Sequence, residues 1–290
     1  MSGGNGAAAA DRVLAPPGRR RCEVTGARDT GGYRIFTVRD GDGPDPAAGQ
    51  FYMLTAAGWG SAGGRPYLPR AFSFATAARG EGGVELGFLL EAVGPGTGVL
   101  AGLEPGAPVE LTGPLGRPFS APRELNPEAA GAILVGGGIG IAPLAVWRAA
   151  LAARGVPTRA LLGFRDRAHS GGTELFDCSE VRLASEDGHA GHRGYVTDLL
   201  AVLLEGEDAA RSAAVYACGP PAMLEAVRRM CADRGVACEL AMESPMACGY
   251  GACFGCAVPL AGGGYMRLCV DGPVVRGEEI ETALVAGAGH

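Results

Sequence analysis

Apolar and polar positions alternate in short runs from Arg21 to about Phe119, and the runs are separated by clusters such as Asp40-Gly41-Asp42-Gly43-Pro44. This pattern predicts strands over residues 22–27, 33–39, 50–56, 71–77, 84–91 and 108–112. Several short strands with regular turn signals predict an antiparallel barrel or sandwich. Near residues 123–131 the pattern changes, and strands begin to alternate with helices. The run 132–135 reads as a buried strand, followed by a glycine-rich turn and a helix over about 142–153. Further strands are expected at 158–164, 180–184, 213–217 and 236–241, with helices at 196–204 and 220–232. Such alternation predicts a parallel sheet with crossover helices, and its first strand–glycine–helix junction is where a ligand belongs.

A chain of 290 residues favours about two domains. With 47% apolar residues it can bury a sizeable core. The net charge of −6 argues against a nucleic-acid binder, which needs a basic footprint, and gives no reason to expect an anionic membrane surface. No apolar run reaches membrane-spanning length. Residues 1–17 lack a basic region followed by an apolar core, so they do not read as a secretory signal. The expectation is a disordered lead-in and a cytoplasmic location. The domain reading is a lead-in at 1–20, an all-β domain at 21–122, an α/β domain at 123–242 and a small tail at 243–290 that needs a staple.

Nine cysteines in a reducing compartment call for an explanation other than disulfides. Four of them stand as Cys248-x4-Cys253-x2-Cys256-x12-Cys269. Two thiolates on each of two irons can hold a [2Fe–2S] cluster, and the x4 and x2 spacings match the plant-type loop. Gly249, Gly251 and Gly255 lie between the ligands, where the backbone must turn sharply and approach the cluster. A hairpin, 257–260 with 265–268, leads to Cys269. Competing readings are a zinc site or four ordinary buried cysteines. Zinc motifs prefer two separated C-x2-C pairs, whereas here the fourth cysteine stands alone and no histidine lies nearby. Plant-type ferredoxins place their fourth cysteine much further on, so only the loop is ferredoxin-like. Cys22, Cys178, Cys231 and Cys238 read as isolated small buried hydrophobes.

Two weaker signals lie upstream. Arg70-Ala71-Phe72-Ser73 puts an arginine that can pair with a pyrophosphate, and a hydroxyl beside it, on one strand. Gly94-Pro95-Gly96-Thr97 follows about twenty residues later and can bring backbone N–H groups to a phosphate. Either alone reads equally well as a solvated arginine or a turn. In the second domain Gly136-Gly137-Gly138-Ile139-Gly140 resembles a dinucleotide-binding turn, although position 141 is Ile where G-x-G-x-x-G has its third glycine. Cys218-Gly219-Pro220 ends a later strand of the same sheet, at the ligand crevice.

The order of these motifs resembles the ferredoxin–NADP reductase superfamily. The segments Glu243 to Cys256 and Arg267 to Val274 look like the electron-transfer subunit of heteromeric NAD-dependent dihydroorotate dehydrogenase. That resemblance implies an α+β multidomain chain with an antiparallel β-barrel FAD domain, an α/β nicotinamide domain and a C-terminal [2Fe–2S] subdomain. It implies FAD contacts at Arg70, Ala71, Phe72, Ser73, Leu89, Leu90, Glu91, Gly96 and Thr97. NAD contacts are expected at Gly136, Gly137, Gly138, Ile139, Gly140, Cys218, Gly219 and Pro220, and cluster ligation at Cys248, Cys253, Cys256 and Cys269. The family usually has Pro where this chain has Ala71, and the hairpin before Cys269 is short for it. The implied partner is an FMN-containing dihydroorotate dehydrogenase catalytic subunit, in a heterotetramer. No acid–base catalytic pair is expected in this chain. The alternatives are a reductase-like subunit of a sulfhydrogenase or a bifurcating ferredoxin–NAD(P) oxidoreductase, and a non-enzymatic iron–sulfur redox sensor. Arg165 and Arg167, just after the second α/β strand, leave NAD against NADP open.

Overall fold

The alternating first third of the chain forms seven strands. They are β1 (Arg20–Thr30), β2 (Tyr33–Asp40), β3 (Phe51–Ala56), β4 (Arg70–Ser73), β5 (Thr76–Gly80), β6 (Gly83–Leu90) and β7 (Pro108–Leu115). In this computed structural model the described residues are 18–57, 59, 66–176, 180–205, 212–285 and 287. Most of the expected lead-in and Cys178 lie outside them. The strands pair antiparallel in the order β4-β3-β7-β1-β2-β6-β5. Their inward side chains, among them Val24, Phe36, Tyr52, Leu54, Phe74, Leu86 and Phe88, make one core. Tyr52 meets Phe74 and Phe88 edge to face, at 6.1 and 5.8 Å between centroids, a favoured geometry for aromatic pairs.

The single strand expected at 71–77 is two strands at opposite edges of this sheet. Phe74 and Ala75, fully buried between them, carry the chain across the barrel, and the Ala75 N–H bonds the Gly87 carbonyl at 2.7 Å. The turn expected at Gly94–Thr97 opens a short helix, α1 (Pro95–Ala101). Pro95 suits the first helical position because its φ is preset and its missing N–H costs nothing there. Leu100 anchors this helix in the barrel core.

A linker with a helical turn, α2 (Pro122–Leu125), leads to the second domain. Its Ser120 N–H and hydroxyl bond the buried Glu239 carboxylate, and the Tyr216 hydroxyl donates to the Ser120 carbonyl at 2.9 Å. The domain then runs β8 (Gly131–Gly137), α3 (Ile141–Ala152), β9 (Thr158–Phe164), β10 (Val181–Ser185), β11 (His192–Arg193), α4 (Val196–Leu203), β12 (Ala213–Cys218), α5 (Pro221–Arg234) and β13 (Ala237–Ala241). The tail adds a hairpin, β14 (Ala257–Pro259) with β15 (Tyr265–Arg267), a helical turn α6 (Leu268–Asp271) and β16 (Val274–Arg276).

Sheet order is β11-β10-β9-β8-β12-β13-β16, parallel except for β16, an edge strand that the sequence did not signal. The chain steps outward from β8 to β11 and then returns to the other side of β8 as β12. The β8–β12 junction is therefore the topological switch point, where the loops diverge and leave a crevice. The tail lacks a core of its own. Val258, Leu268, Cys269, Val275 and Ile280 share one cluster with Phe51, Met53 and Leu115 of the barrel and with Val215, Val227 and Leu240 of the α/β domain. Among the described residues no helix is long and apolar enough to cross a membrane.

Candidate functional site

A cleft of about 480 Å³ opens between the barrel, the switch point and the start of the tail. Arg70, Ala71, Phe72 and Ser73 of β4, Leu89 of β6, Glu91, and Gly96 and Thr97 of α1 all line it. Gly96 lies close under Arg70: a Cβ there would come within 2.9 Å of the guanidinium, which lies against the start of α1. Arg70 is braced by the Leu68 carbonyl at 2.7 Å and lies 5.7 Å from the Trp59 ring centroid. The Thr97 hydroxyl is committed to its own turn. It accepts the N–H groups of Val93 and Gly94 at 3.0 and 2.9 Å and donates to the Gly94 carbonyl. A guanidinium beside exposed backbone N–H groups fits a diphosphate, and Phe72, Leu89 and Ser73 fit a flat ring with polar edges. Leu90 does not face this cleft. Strand alternation turns its side chain into the barrel core, leaving Leu89 on the cleft side.

A second cleft, of about 760 Å³, lies over the switch point. Gly137, Gly138, Ile139, Gly140, Gly219 and Pro220 line it. A Cβ on Gly140 would come within 2.6 Å of the Cys218 carbonyl and the Gly219 backbone, so only glycine lets the two loops meet. Gly136 lies one residue too deep. It is packed under Ile141, Leu144 and Leu162 and serves helix–strand contact rather than the cleft surface. Cys218 faces the first cleft, and burial pushes its thiol well up, so it stays protonated there. Five residues, Glu91, Val93, Ile139, Gly140 and Glu243, line both clefts and mark their junction. The second cleft also gathers Tyr33, Arg165, His169, Glu186, Tyr195 and Thr197.

The tail leaves the first cleft at Met246 and turns at once into the cysteine loop. Gly249 has φ +79°, and a Cβ would press on Met53 of the barrel at 2.5 Å, so the loop lies directly on β3. The four cysteines lie near one another. Cys248 interacts with Cys253, and Cys256 with Cys269, and Cys269 also feels the Cys248 sulfur. Burial opposes a thiolate at Cys248, but the N–H groups of Cys253, Tyr250 and Ala252 outweigh it and bring that thiol down to about 7. Burial and the neighbouring Cys256 sulfur push Cys269 up to about 12. The Gly255 N–H reaches the Cys253 sulfur, and the Cys269 N–H the Cys256 sulfur, each at 3.5 Å. Backbone donors aimed at these sulfurs suit thiolates bound to iron. Of the other cysteines, Cys22 is buried alone, but Cys231 and Cys238 are not isolated from each other: their thiols are hydrogen-bonded between α5 and β13.

Residues 243–281 match the family model described as the iron–sulfur cluster binding domain of dihydroorotate dehydrogenase B. The chain is 41% identical over 191 residues to the "dihydroorotate dehydrogenase B (NAD(+)), electron transfer subunit" of Bacillus caldolyticus, covering 64% of this chain and 70% of that protein. The protein of the same description from Caldanaerobacter subterraneus is 33% identical over 242 residues, covering 82% and 88%. This chain belongs to the dihydroorotate dehydrogenase B electron transfer subunit family. Among solved structures, a flavin-based electron-bifurcating NADH-dependent reduced ferredoxin–NADP oxidoreductase shares the fold, with TM-score 0.76 and 24% identity over 90% of both chains. A Neisseria gonorrhoeae ferredoxin–NADP⁺ reductase with FAD and NADP shares it at TM-score 0.59 and 18% identity, over 75% of this chain and 92% of that one.

Within this family frame the motifs read from sequence fall on three adjoining surfaces: the β4–α1 cleft, the switch-point cleft and the cysteine loop. Sequence reading missed Tyr33, His169, Glu186 and Glu243. Glu186 carried a usable signal, since it lies two residues beyond an expected strand in the α/β domain, and strand C-termini line the crevice.

Proposed function

We propose that this chain is the electron-transfer subunit through which an FMN-containing partner that oxidises dihydroorotate passes electrons to NAD⁺, in pyrimidine biosynthesis. The observation that carries this reading is the shared lining of the two clefts at Glu91, Val93, Ile139, Gly140 and Glu243, with the cysteine loop starting from the same cleft wall at Met246. Bound FAD supplies the link between one-electron and two-electron chemistry. The chain's own residues hold and shield. Arg70 and the α1 turn bind a diphosphate, Leu89 and Phe72 exclude water from the ring site, and the Gly138–Gly140 turn receives the dinucleotide. Cys248, Cys253, Cys256 and Cys269 would hold the [2Fe–2S] cluster, which would supply one-electron transfer. The loop tip, residues 252–255, is solvent-exposed, which gives a partner access to the cluster.

NAD rather than NADP suits the outer part of the second cleft. Glu186, directly after β10, lines that cleft, and a carboxylate there would repel a 2′-phosphate and could accept a hydrogen bond from a 2′-hydroxyl. Arg165 is already bonded to Asp166 at 3.2 Å. The described cysteines are free thiols, in keeping with a reducing cytoplasm. Assembly as a heterotetramer with the catalytic subunit follows the family.

The test is an absorption spectrum of the anaerobically purified protein before and after NADH. Flavin and iron–sulfur bands that bleach on NADH addition, with a long-wavelength charge-transfer shoulder, are expected. Cys253→Ser is expected to lower iron content while FAD stays bound. A colourless protein, or unchanged iron in Cys253→Ser, would overturn the reading. Co-purification with a bifurcating partner instead of a dihydroorotate-oxidising one would favour the fold-related alternative.

A further inference from the structure

The flavin cleft is built mostly on the barrel and the dinucleotide cleft mostly on the α/β domain, so their alignment depends on how the two domains are held. The dinucleotide cleft has one wall made by the segment after β9, which contributes Arg165 and His169. The β1–β2 turn of the barrel grips this segment. The Gly32 N–H donates to the Ser170 carbonyl at 2.7 Å, and the Gly172 N–H donates to the Thr30 hydroxyl at 2.9 Å. The Tyr33 hydroxyl donates to the His169 carbonyl at 2.6 Å. Arg28 pairs with Glu174 at 2.9 Å on the outside. The two backbones touch so closely that a Cβ on Gly31, Gly32 or Gly171 would overlap the carbonyl oxygen of Ser170, Ala168 or Thr30 respectively.

His169 extends the grip to the junction of the clefts. Its Nε2 lies 3.6 Å from Glu91, which follows the barrel strand β6, and its Nδ1 lies 2.7 Å from Asp166. Tyr33 is buried beside Ile35, Leu89 and Ile141, so its ring is wedged between the two domains. Burial, with the Glu91 and Asp166 carboxylates, raises the phenol, and it stays a donor throughout the physiological range.

We propose that this clasp fixes the register between the two cofactor clefts, with Gly32 and Tyr33 as positioning residues for hydride exchange. The proposal rests on the functional reading above. Hydride exchange needs the reacting atoms about 3–3.5 Å apart, and a displacement of about 1 Å costs roughly a hundredfold in rate. A clasp built from backbone-to-backbone contact transmits such a displacement directly, because no flexible side chain can absorb it.

The test compares holoprotein carrying Gly32→Ala, Tyr33→Phe or, as control, Gly262→Ala, whose Cβ would meet nothing within 4 Å. FAD and iron content are measured first. Then flavin reduction at saturating NADH is followed by stopped flow, and amide exchange of residues 166–175 by mass spectrometry. For Gly32→Ala, at least a tenfold slower reduction is expected, with KM for NADH changed less than threefold and faster exchange in the segment. For Tyr33→Phe, which keeps the ring and loses one hydrogen bond, a two- to fivefold loss is expected. The control matches the wild type. Faster exchange with an unchanged saturating rate would overturn the proposal, as would unchanged exchange in both clasp variants. Should Gly32→Ala not fold, Tyr33→Phe decides alone. A wild-type flavin that NADH does not reduce would instead sink the functional reading, and the proposal with it.

Discussion

Glu186 and Arg165 compete to set the charge at the outer part of the dinucleotide cleft. Both line it, but Arg165 shares its charge with Asp166, whose carboxyl is held down at about 2, chiefly by the hydrogen bond from His169. Among the described residues no ion pair neutralises Glu186, so its carboxylate sets the local charge of the cleft it lines. Replacing it by arginine reverses the sign where a 2′-phosphate would lie. Glu186→Arg is expected to raise kcat/KM for NADPH relative to NADH by at least tenfold, about 1.4 kcal/mol of discrimination. Steady-state rates with both nucleotides decide it, and an unmoved ratio would place the adenosine elsewhere. The cysteine motif was legible in the sequence because its spacing is local: one loop supplies three of the four thiols proposed as ligands. His169 and Glu243 were not, because sheet order and not sequence neighbourhood brings them to one cleft.

At the scale of elements, apolar runs with clear punctuation were read almost to the residue. β9 spans the expected 158–164, and β2 differs by one position. The misses share a physical cause. β4 and β5 are continuous in pattern, and only the burial of Phe74 and Ala75 across the barrel divides them. α1 begins with Pro-Gly, which reads as a turn. β16 is three residues long and pairs only with β13, a contact far away in sequence. The cysteine loop itself presents an element-scale prediction. Tyr250, Phe254 and Tyr265 expose more than 60% of their surface beside it. Phe254 holds φ +58° and carries the Arg267 guanidinium 5.0 Å from its ring centroid, while Arg267 also bonds the Gly251 carbonyl at 3.0 Å. An exposed aromatic kept in an unfavourable backbone conformation suits a docking surface. Aromatic anchors in interfaces are worth about 2 kcal/mol or more. Phe254→Asp is therefore expected to weaken copurification with the catalytic subunit about thirtyfold, with FAD and iron content unchanged. Assembly at wild-type strength would remove this patch from the interface.

For the whole molecule, the order of barrel, α/β domain and cysteine tail was legible because each has its own periodicity or spacing. What joins them was not, since the joints are single side chains and close backbone contacts. Glu225 is the clearest of these. It lies on α5 with its carboxylate buried, pairs with Arg228 at 2.8 Å and Arg229 at 2.6 Å, and accepts the Ala283 N–H of the tail at 2.8 Å. These contacts, the Arg228 bond foremost, hold its carboxyl down at about 2, below an ordinary glutamate value of about 4.3. A carboxyl depressed by folding stabilises the native state fully above its unfolded value. That stabilisation is lost as pH falls through the interval down to the folded value. Glu225→Gln removes the charge and leaves Arg228 short of a partner, which is expected to cost about 2 kcal/mol at pH 7. Urea midpoints at pH 7 should therefore separate the variant from the wild type, and the gap should narrow steadily from about pH 4 downward. A gap that stays constant across that range would mean that the tail is held by packing alone, with the carboxylate contributing nothing to its attachment.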